Sequence, residues 1–309
     1  MDFVGKRNWF FLLSLLVIAP GILFLIFAPG LKLGIDFTGG SSLTLEFESS
    51  FDRQDMRNEL TTLGHPDAIV QKMADRTFFV RTKELDEQAK DDLVGGLEST
   101  LSPDGILVLS FDLVSPVVGA ETVRNAFVAV LMAAVGIFIF VWWAFRNVPS
   151  PFRYGAAAIV ALLHDAVVVV GVFAILGVLF DIEINTMFLI ALLTVIGYSV
   201  NDTIVVFDRL RENVLLYPNR TLEANANLSI SETIGRSLNT SMTLMFTLMA
   251  LLLFGGPTIR NFLWVLLMGV VAGTYSSIGV ATTFLVVWES GTFRRFFGRL
   301  RPASSSRTA

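Results

Sequence analysis

The stretch IGYSVNDTIVVFDRLREN, Ile196 to Asn213, starts inside a long apolar run and ends in a cluster of charge. Asn201 and Asp202 stand side by side within its apolar part. The run covers roughly residues 186–207, and about 20 apolar residues suffice for a helix to cross a bilayer. Comparable runs lie at roughly 9–29, 124–144, 153–180, 237–255 and 261–288, so six transmembrane helices are predicted. Composition points the same way: 53% of the residues are hydrophobic and 16% charged, whereas soluble domains run about a quarter charged. The expected fold class is an α-helical polytopic membrane protein embedded in the lipid bilayer. The first run follows Lys6 and Arg7, yet it is too long for a signal-peptide core and no small-residue cleavage site follows it. It reads as a retained helix.

Basic residues set the orientation of such a chain. Lys6 and Arg7 precede the first span, and Arg146 and Arg153 flank the turn between the second and third. Arg209, Arg211, Arg220 and Arg236 lie between the fourth and fifth, and Arg294, Arg295, Arg299, Arg301 and Arg307 fill the tail. With six spans all four groups fall on one side, which places both termini in the cytoplasm. The opposite short loops hold Asp181 with Glu183, and Arg260. The expected division is residues 1–30 as cytoplasmic N-terminus and first helix, 31–120 as an exported domain, 121–290 as transmembrane helices 2–6, and 291–309 as a basic cytoplasmic tail.

The exported segment alternates between strand and helix patterns. SSLTLEFE (Ser41–Glu48) alternates as a strand does, and FDRQDMRNELTTLG (Phe51–Gly64) has an Asp near its start and Gly at its end, as a helix does. Strands are expected at Asp67–Met73, Arg76–Thr82 and Gly105–Val114. Between the last two, Leu85, Ala89, Leu93 and Leu97 form a helical stripe. The order β-α-β-β-α-β is the ferredoxin-like split βαβ arrangement. GIDFTGG (Gly34–Gly40), just before it, reads as a structural junction in which Asp36 bonds the local turn.

Several chemistries are excluded. With no Cys and only His65 and His164, neither a thiolate site nor a His-rich metal cluster is available. No nucleotide loop or nucleophile–base arrangement is present, so no enzyme activity, cofactor or metal is expected, and nothing suggests nucleic-acid binding.

The informative polar groups lie inside the spans. At about 100° per residue, Thr194, Gly197, Tyr198, Asn201 and Asp202 form one polar face of the fourth helix. Asp202 lies six residues before Asp208, roughly 9 Å inside the cytoplasmic end. An ionised Asp at mid-membrane costs about 2.5–3.5 kcal/mol on insertion scales, so intramembrane carboxylates point to function. Arg236, Thr240, Thr243 and Thr247 form a second stripe on the fifth helix at similar depth. The expectation is that Asp202 and Arg236 form a pair whose separation depends on conformation: paired, the carboxylate is ionised; unpaired in an apolar site, it takes a proton. A static interhelical bond is the alternative, and an Asp with hydroxyl neighbours suits sodium as well as a proton. His164-Asp165 on the third helix either extends a relay or is a satisfied structural pair. Gly269, Gly273 and Ser277 on the sixth form a small-residue packing face.

GIDFTGG after a first helix, then IGYSVNDTIVVFDRLREN, then GRSLNTSMTLMFTLMALLLFGG (Gly235–Gly256) together resemble the SecD/SecF family of protein-export membrane proteins, on its SecF side. The resemblance covers nearly the whole chain and places it in the resistance–nodulation–division superfamily. It implies a subunit that pairs with SecD into a twelve-helix unit and uses the proton motive force to promote late steps of preprotein export through the SecYEG channel. It also implies that Asp202 and Arg236 serve proton transport. The alternatives are a cation-coupled transporter half and a non-transporting stabiliser of the channel.

Overall fold

The computed structural model describes residues 2–290 except 29, 104, 257 and 258. Six helices are long and apolar enough to cross a membrane. They are α1 (Arg7–Phe27), α5 (Pro116–Ala144), α6 (Pro151–Phe180), α7 (Thr186–Leu216), α8 (Leu222–Phe254), and a sixth span from Arg260 to Glu289. The sixth consists of α9 (Arg260–Ser276), a π-helical turn (Ser277–Ala281) and α10 (Thr282–Glu289). The basic tail expected at 291–309 lies outside the described residues.

The spans sit where hydropathy places them, but three are longer. α5 starts at Pro116, an N1 proline that follows β4 almost directly and precedes Glu121 and Arg124, which dilute the apolar signal. α7 continues past residue 207 to Leu216, just short of Pro218. α8 begins at Leu222, where the Thr221 hydroxyl accepts from the Ala224 amide at 3.2 Å. Its first turns bury Asn225, Ala226, Ser229, Ile230 and Thr233, an amphipathic stripe too polar to register as membrane-spanning.

Between α1 and α5 lie α2 (Ile35–Thr38), β1 (Gly40–Phe47), α3 (Arg53–Thr62), β2 (Ile69–Lys72), β3 (Thr77–Thr82), α4 (Glu87–Leu101) and β4 (Ile106–Val114). The sheet order is β2-β3-β1-β4, with every neighbouring pair antiparallel. Leu43, Leu45 and Phe47 alternate onto one face and meet Met56 and Leu60 of α3 and Leu93 and Leu97 of α4. Removing each from water contributes roughly 1.5–3 kcal/mol. Asp52 caps α3 in a reciprocal capping box with Asp55. Asp86 caps α4 by accepting from the Ala89 amide at 2.8 Å, so Leu85, expected within that helix, packs from just before it.

The helical core centres on α6, α7 and α9, while α1, α5 and α8 are peripheral. Glycines bring backbones together: a Cβ added to Gly21 of α1 would lie 2.7 Å from the Gly171 Cα of α6. Gly269 and Gly273 of α9 press on Val195 and Ser199 of α7. GIDFTGG does form a junction, with Gly39 and Gly40 at φ 77° and 114°. Its Asp36, however, leaves the local turn and caps α7, accepting from the Thr186 amide at 2.7 Å.

Candidate functional site

α7 divides its polar residues between directions. Thr194, Gly197 and Asn201 are exposed, whereas Asp202 is only 7% exposed and Ser199 and Thr203 are buried. The single polar face expected from the sequence is thus an arc. At about 100° per residue, Asn201 and Asp202 cannot share a direction, and Asp202 takes the edge that turns inward.

Asp202 meets α8, but not through Arg236. Ser237 donates to Asp202 Oδ1 at 2.5 Å, and Asp202 Oδ2 is buried with no hydrogen-bond partner. Arg236 is exposed and makes no ion pair among the described residues, so the expected Asp202–Arg236 pair is not formed in this conformation. The reason is one residue of helix phase: α8 faces α7 with Ser237 and Ser241, one position past the Arg236/Thr240 stripe. Thr240, Thr243 and Thr247 are exposed and return their hydroxyls to the carbonyls of Arg236, Asn239 and Thr243, at 2.9, 2.5 and 3.0 Å. Thr194 does the same with Ile190 at 2.7 Å. Of the supporting residues expected from sequence, Tyr198 alone reaches the interior. Its hydroxyl lies 3.0 Å from Ser241 Oγ, which is 2.6 Å from Thr274 Oγ1 of α9.

His164-Asp165 forms a second buried centre. Asp165 is fully buried and accepts through Oδ2 from Ser199 of α7 and from Ser276 of α9, the latter at 2.8 Å. Its Oδ1 lies 3.0 Å from His164 Nδ1. His164 Nε2 is 3.0 Å from Ser14 Oγ of α1, which is 3.0 Å from the Tyr275 hydroxyl. Four spans are thereby tied by one polar network. Between the two centres, Thr203 Oγ1 and Ser277 Oγ lie 2.8 Å apart, and Ser277 opens the π-helical turn. Such turns recur at functional sites because the extra residue re-aims side chains. Ser199, Thr203, Ser237, Ser241, Ser276 and Ser277 were not singled out from sequence as site residues. Ser237 and Ser241 at i, i+4 carried the usable signal, masked by the bulkier stripe beside them. No three metal-ligating side chains come together among the described residues.

Residues 98–291 match the family described as protein export membrane protein SecD/SecF, C-terminal, and residues 24–50 match the SecD/SecF GG motif. The chain is 45% identical to the protein translocase subunit SecF of Thermobaculum terrenum, over 99% of both chains. It is 43% identical to the SecF of Anaerolinea thermophila, over 99% of this chain and 100% of that one. Among solved structures, SecDF of Thermus thermophilus, described as a translocon-associated membrane protein, matches at a TM-score of 0.84 and 34% identity. The match covers 94% of this chain and 39% of that one, so the chain spans well under half of the SecDF polypeptide. A SecDF structure described as a super-membrane-facing form matches at a TM-score of 0.68 and 32% identity, covering 97% of this chain and 40% of that one.

Proposed function

The chain belongs to the SecD/SecF family of protein-export membrane proteins, and from that premise we propose that it is the SecF half of a proton-driven accessory to the Sec translocase. It is a multi-pass membrane protein, and its relatives are named as translocase subunits, a transport role. The observation that carries the proton-coupling reading is Asp202: a carboxylate sealed between helices with one oxygen bonded by Ser237 and the other bare. A bare buried oxygen is costly for a charged group and is relieved by one proton.

Arg236 stands one residue from Ser237 on the same helix turn, exposed and unpaired. A modest rotation of α8 exchanges the hydroxyl for the guanidinium at Asp202. The carboxylate then gives up its proton to become the partner of a cation. One charge moved through 100 mV is worth about 2.3 kcal/mol, enough to bias such an exchange. His164 and Asp165 form the reserve of this pathway on the far side of Ser199 and Ser276. SecD supplies the opposing six helices, and the exposed faces of α7 and α8 suit that neighbour. The pair then acts on preprotein emerging from SecYEG. In this reading both termini are cytoplasmic and residues 31–120 are exported; the antiparallel order β2-β3-β1-β4 supports a ferredoxin-like fold for that segment. A transporter half for small molecules is disfavoured, since the loops besides this small domain are too short to build a porter pocket.

Asp202→Asn tests the reading. In vesicles holding the full chain with SecD and the channel, the variant is expected to assemble normally and to lose the export gained from the proton gradient. Undiminished proton-driven export would leave a structural stabiliser as the better account.

A further inference from the structure

The link between α6 and α7, residues 181–185, is gripped by the small domain. The Asp181 carboxylate pairs with Lys32, before α2, and with Arg53 of α3, the latter at 2.7 Å. Its carbonyl accepts from Gln71 Nε2 of β2 at 2.6 Å. Asp181 has φ 58°, a left-handed conformation uncommon outside Gly, Asn and Asp. Arg81 of β3 lies 3.1 Å from Glu183 Oε2 and also donates to the Leu33 carbonyl and to Thr38 Oγ1, both at 2.6 Å. The backbones join as well: Gly34 donates to the Ile184 carbonyl and Ile184 to the Lys32 carbonyl, each at 2.8 Å, forming a parallel bridge between Leu33 and Ile184. Asp36 then caps the first turn of α7.

These contacts converge on the five residues that lead into the helix bearing Asp202. Thr186 and Asp202 are sixteen residues apart on one uninterrupted helix, about 24 Å along its axis. Of the two helices that flank the small domain in sequence, α5 contributes no buried polar side chain to the membrane-embedded network among the described residues, and α1 meets that network through Ser14 beside His164 rather than at Asp202. Glu183 Oε1 is buried with no partner, so the grip holds a carboxylate in a position that packing alone would not favour.

We propose that residues 181–185 are the transmission between the intramembrane site and the small domain, with Asp181 and Glu183 as its positioning residues. A shift of α7 when Asp202 changes partner moves this link, and the link carries the domain with it. The inference rests on the coupling role of Asp202.

The test uses the full chain in SecD-containing vesicles and the double variant Asp181→Ala, Glu183→Ala, which removes both side chains that Lys32, Arg53 and Arg81 hold. Proton-driven export is expected to fall severalfold while proton uptake, read with a trapped pH dye, and copurification with SecD remain. Because the chain has no Cys, Leu33→Cys with Ile184→Cys can be added to that variant. Bridge partners lie about 5 Å apart, within disulfide reach. Oxidation is expected to restore export and reduction to abolish it again. Wild-type export from the double variant, or no recovery on oxidation, overturns the proposal. Asp202→Asn is run alongside. Lost export there with full export from the double variant overturns the link alone; full export from both overturns the coupling reading beneath it.

Discussion

At Asp202 the decisive neighbour is Ser237. Leaving a buried acceptor without its donor costs about 1–3 kcal/mol, and Ser237 supplies the single hydrogen bond that oxygen Oδ1 receives in the structure. If Asp202 couples protons to export as proposed, Ser237→Ala is expected to slow gradient-dependent export severalfold, while Thr240→Ala, whose hydroxyl bonds its own helix, leaves it near wild type. Equal effects of the two in a vesicle export assay would place the functional stripe back on Arg236 and Thr240. The contrast shows what the sequence held at this scale. An ionisable residue inside an apolar run is conspicuous, so Asp202, His164 and Asp165 were legible. Serines one position from an arginine were not, because helix phase relative to a neighbour is set by packing across the interface. Asp165 carries a different expectation. Its removal takes a partner from Ser199, Ser276 and His164 in a dry interior, and a buried polar group left unsatisfied costs about 1–3 kcal/mol. Asp165→Ala is expected to lower the thermal midpoint of the detergent-solubilised protein, and Asp165→Asn, which keeps a hydrogen-bonding head group, to lower it less.

The elements were the most legible level, for reasons that also explain the exceptions. Apolar length fixes a span whatever surrounds it, so all six appear where the hydropathy runs lie. The early turns of α8 escaped because they bury Asn225, Ser229 and Thr233 rather than aliphatic side chains. The strands of the small domain were readable from alternation, and the cap at Asp52 from an acidic residue at the helix start, whereas Asp86, which caps α4, falls inside the helical stripe that begins at Leu85. What local pattern could not show is which elements touch. Asp36 lies far from Thr186 in sequence yet caps its helix. The crossing of α1 and α6 depends likewise on a pair of distant glycines. Gly171→Val forces a branched side chain into the Gly21 backbone, where even a Cβ would sit 2.9 Å from its Cα. The helices must part, taking Ser14 away from His164. The expected result is a lower thermal midpoint for this variant and no comparable change for Gly197→Ala, since a Cβ at Gly197 meets nothing within 4 Å.

Across the whole molecule, the joint between small domain and membrane helices holds two carboxylates with opposite responses to acid. Lys32 and Arg53 hold the Asp181 carboxyl below the usual carboxylate range. Burial pushes Glu183 above it, against the pull of Arg81 and Lys32. A docked-state pKa that is depressed gives docking energy present above the undocked value and lost as pH falls through the lowered one. A raised pKa does the reverse: its contribution is complete below the undocked value and lost as pH rises through the raised one. Acidification from neutral pH thus first tightens the joint, as Glu183 takes its proton, and then loosens it, as Asp181 does. The amides of Gly34 and Ile184 report this directly, because both donate across the bridge. Corrected for intrinsic rates, their hydrogen exchange is expected to be slowest in mildly acid solution and faster on either side. Glu183→Gln should flatten the rise toward neutral pH and spare the acid limb; Asp181→Asn should do the opposite. Exchange that rises monotonically with acid in the wild type would mean that Asp181 alone governs the joint. In an exported domain facing the acidic side of a proton gradient, the expected behaviour would grip the link more firmly as the gradient builds.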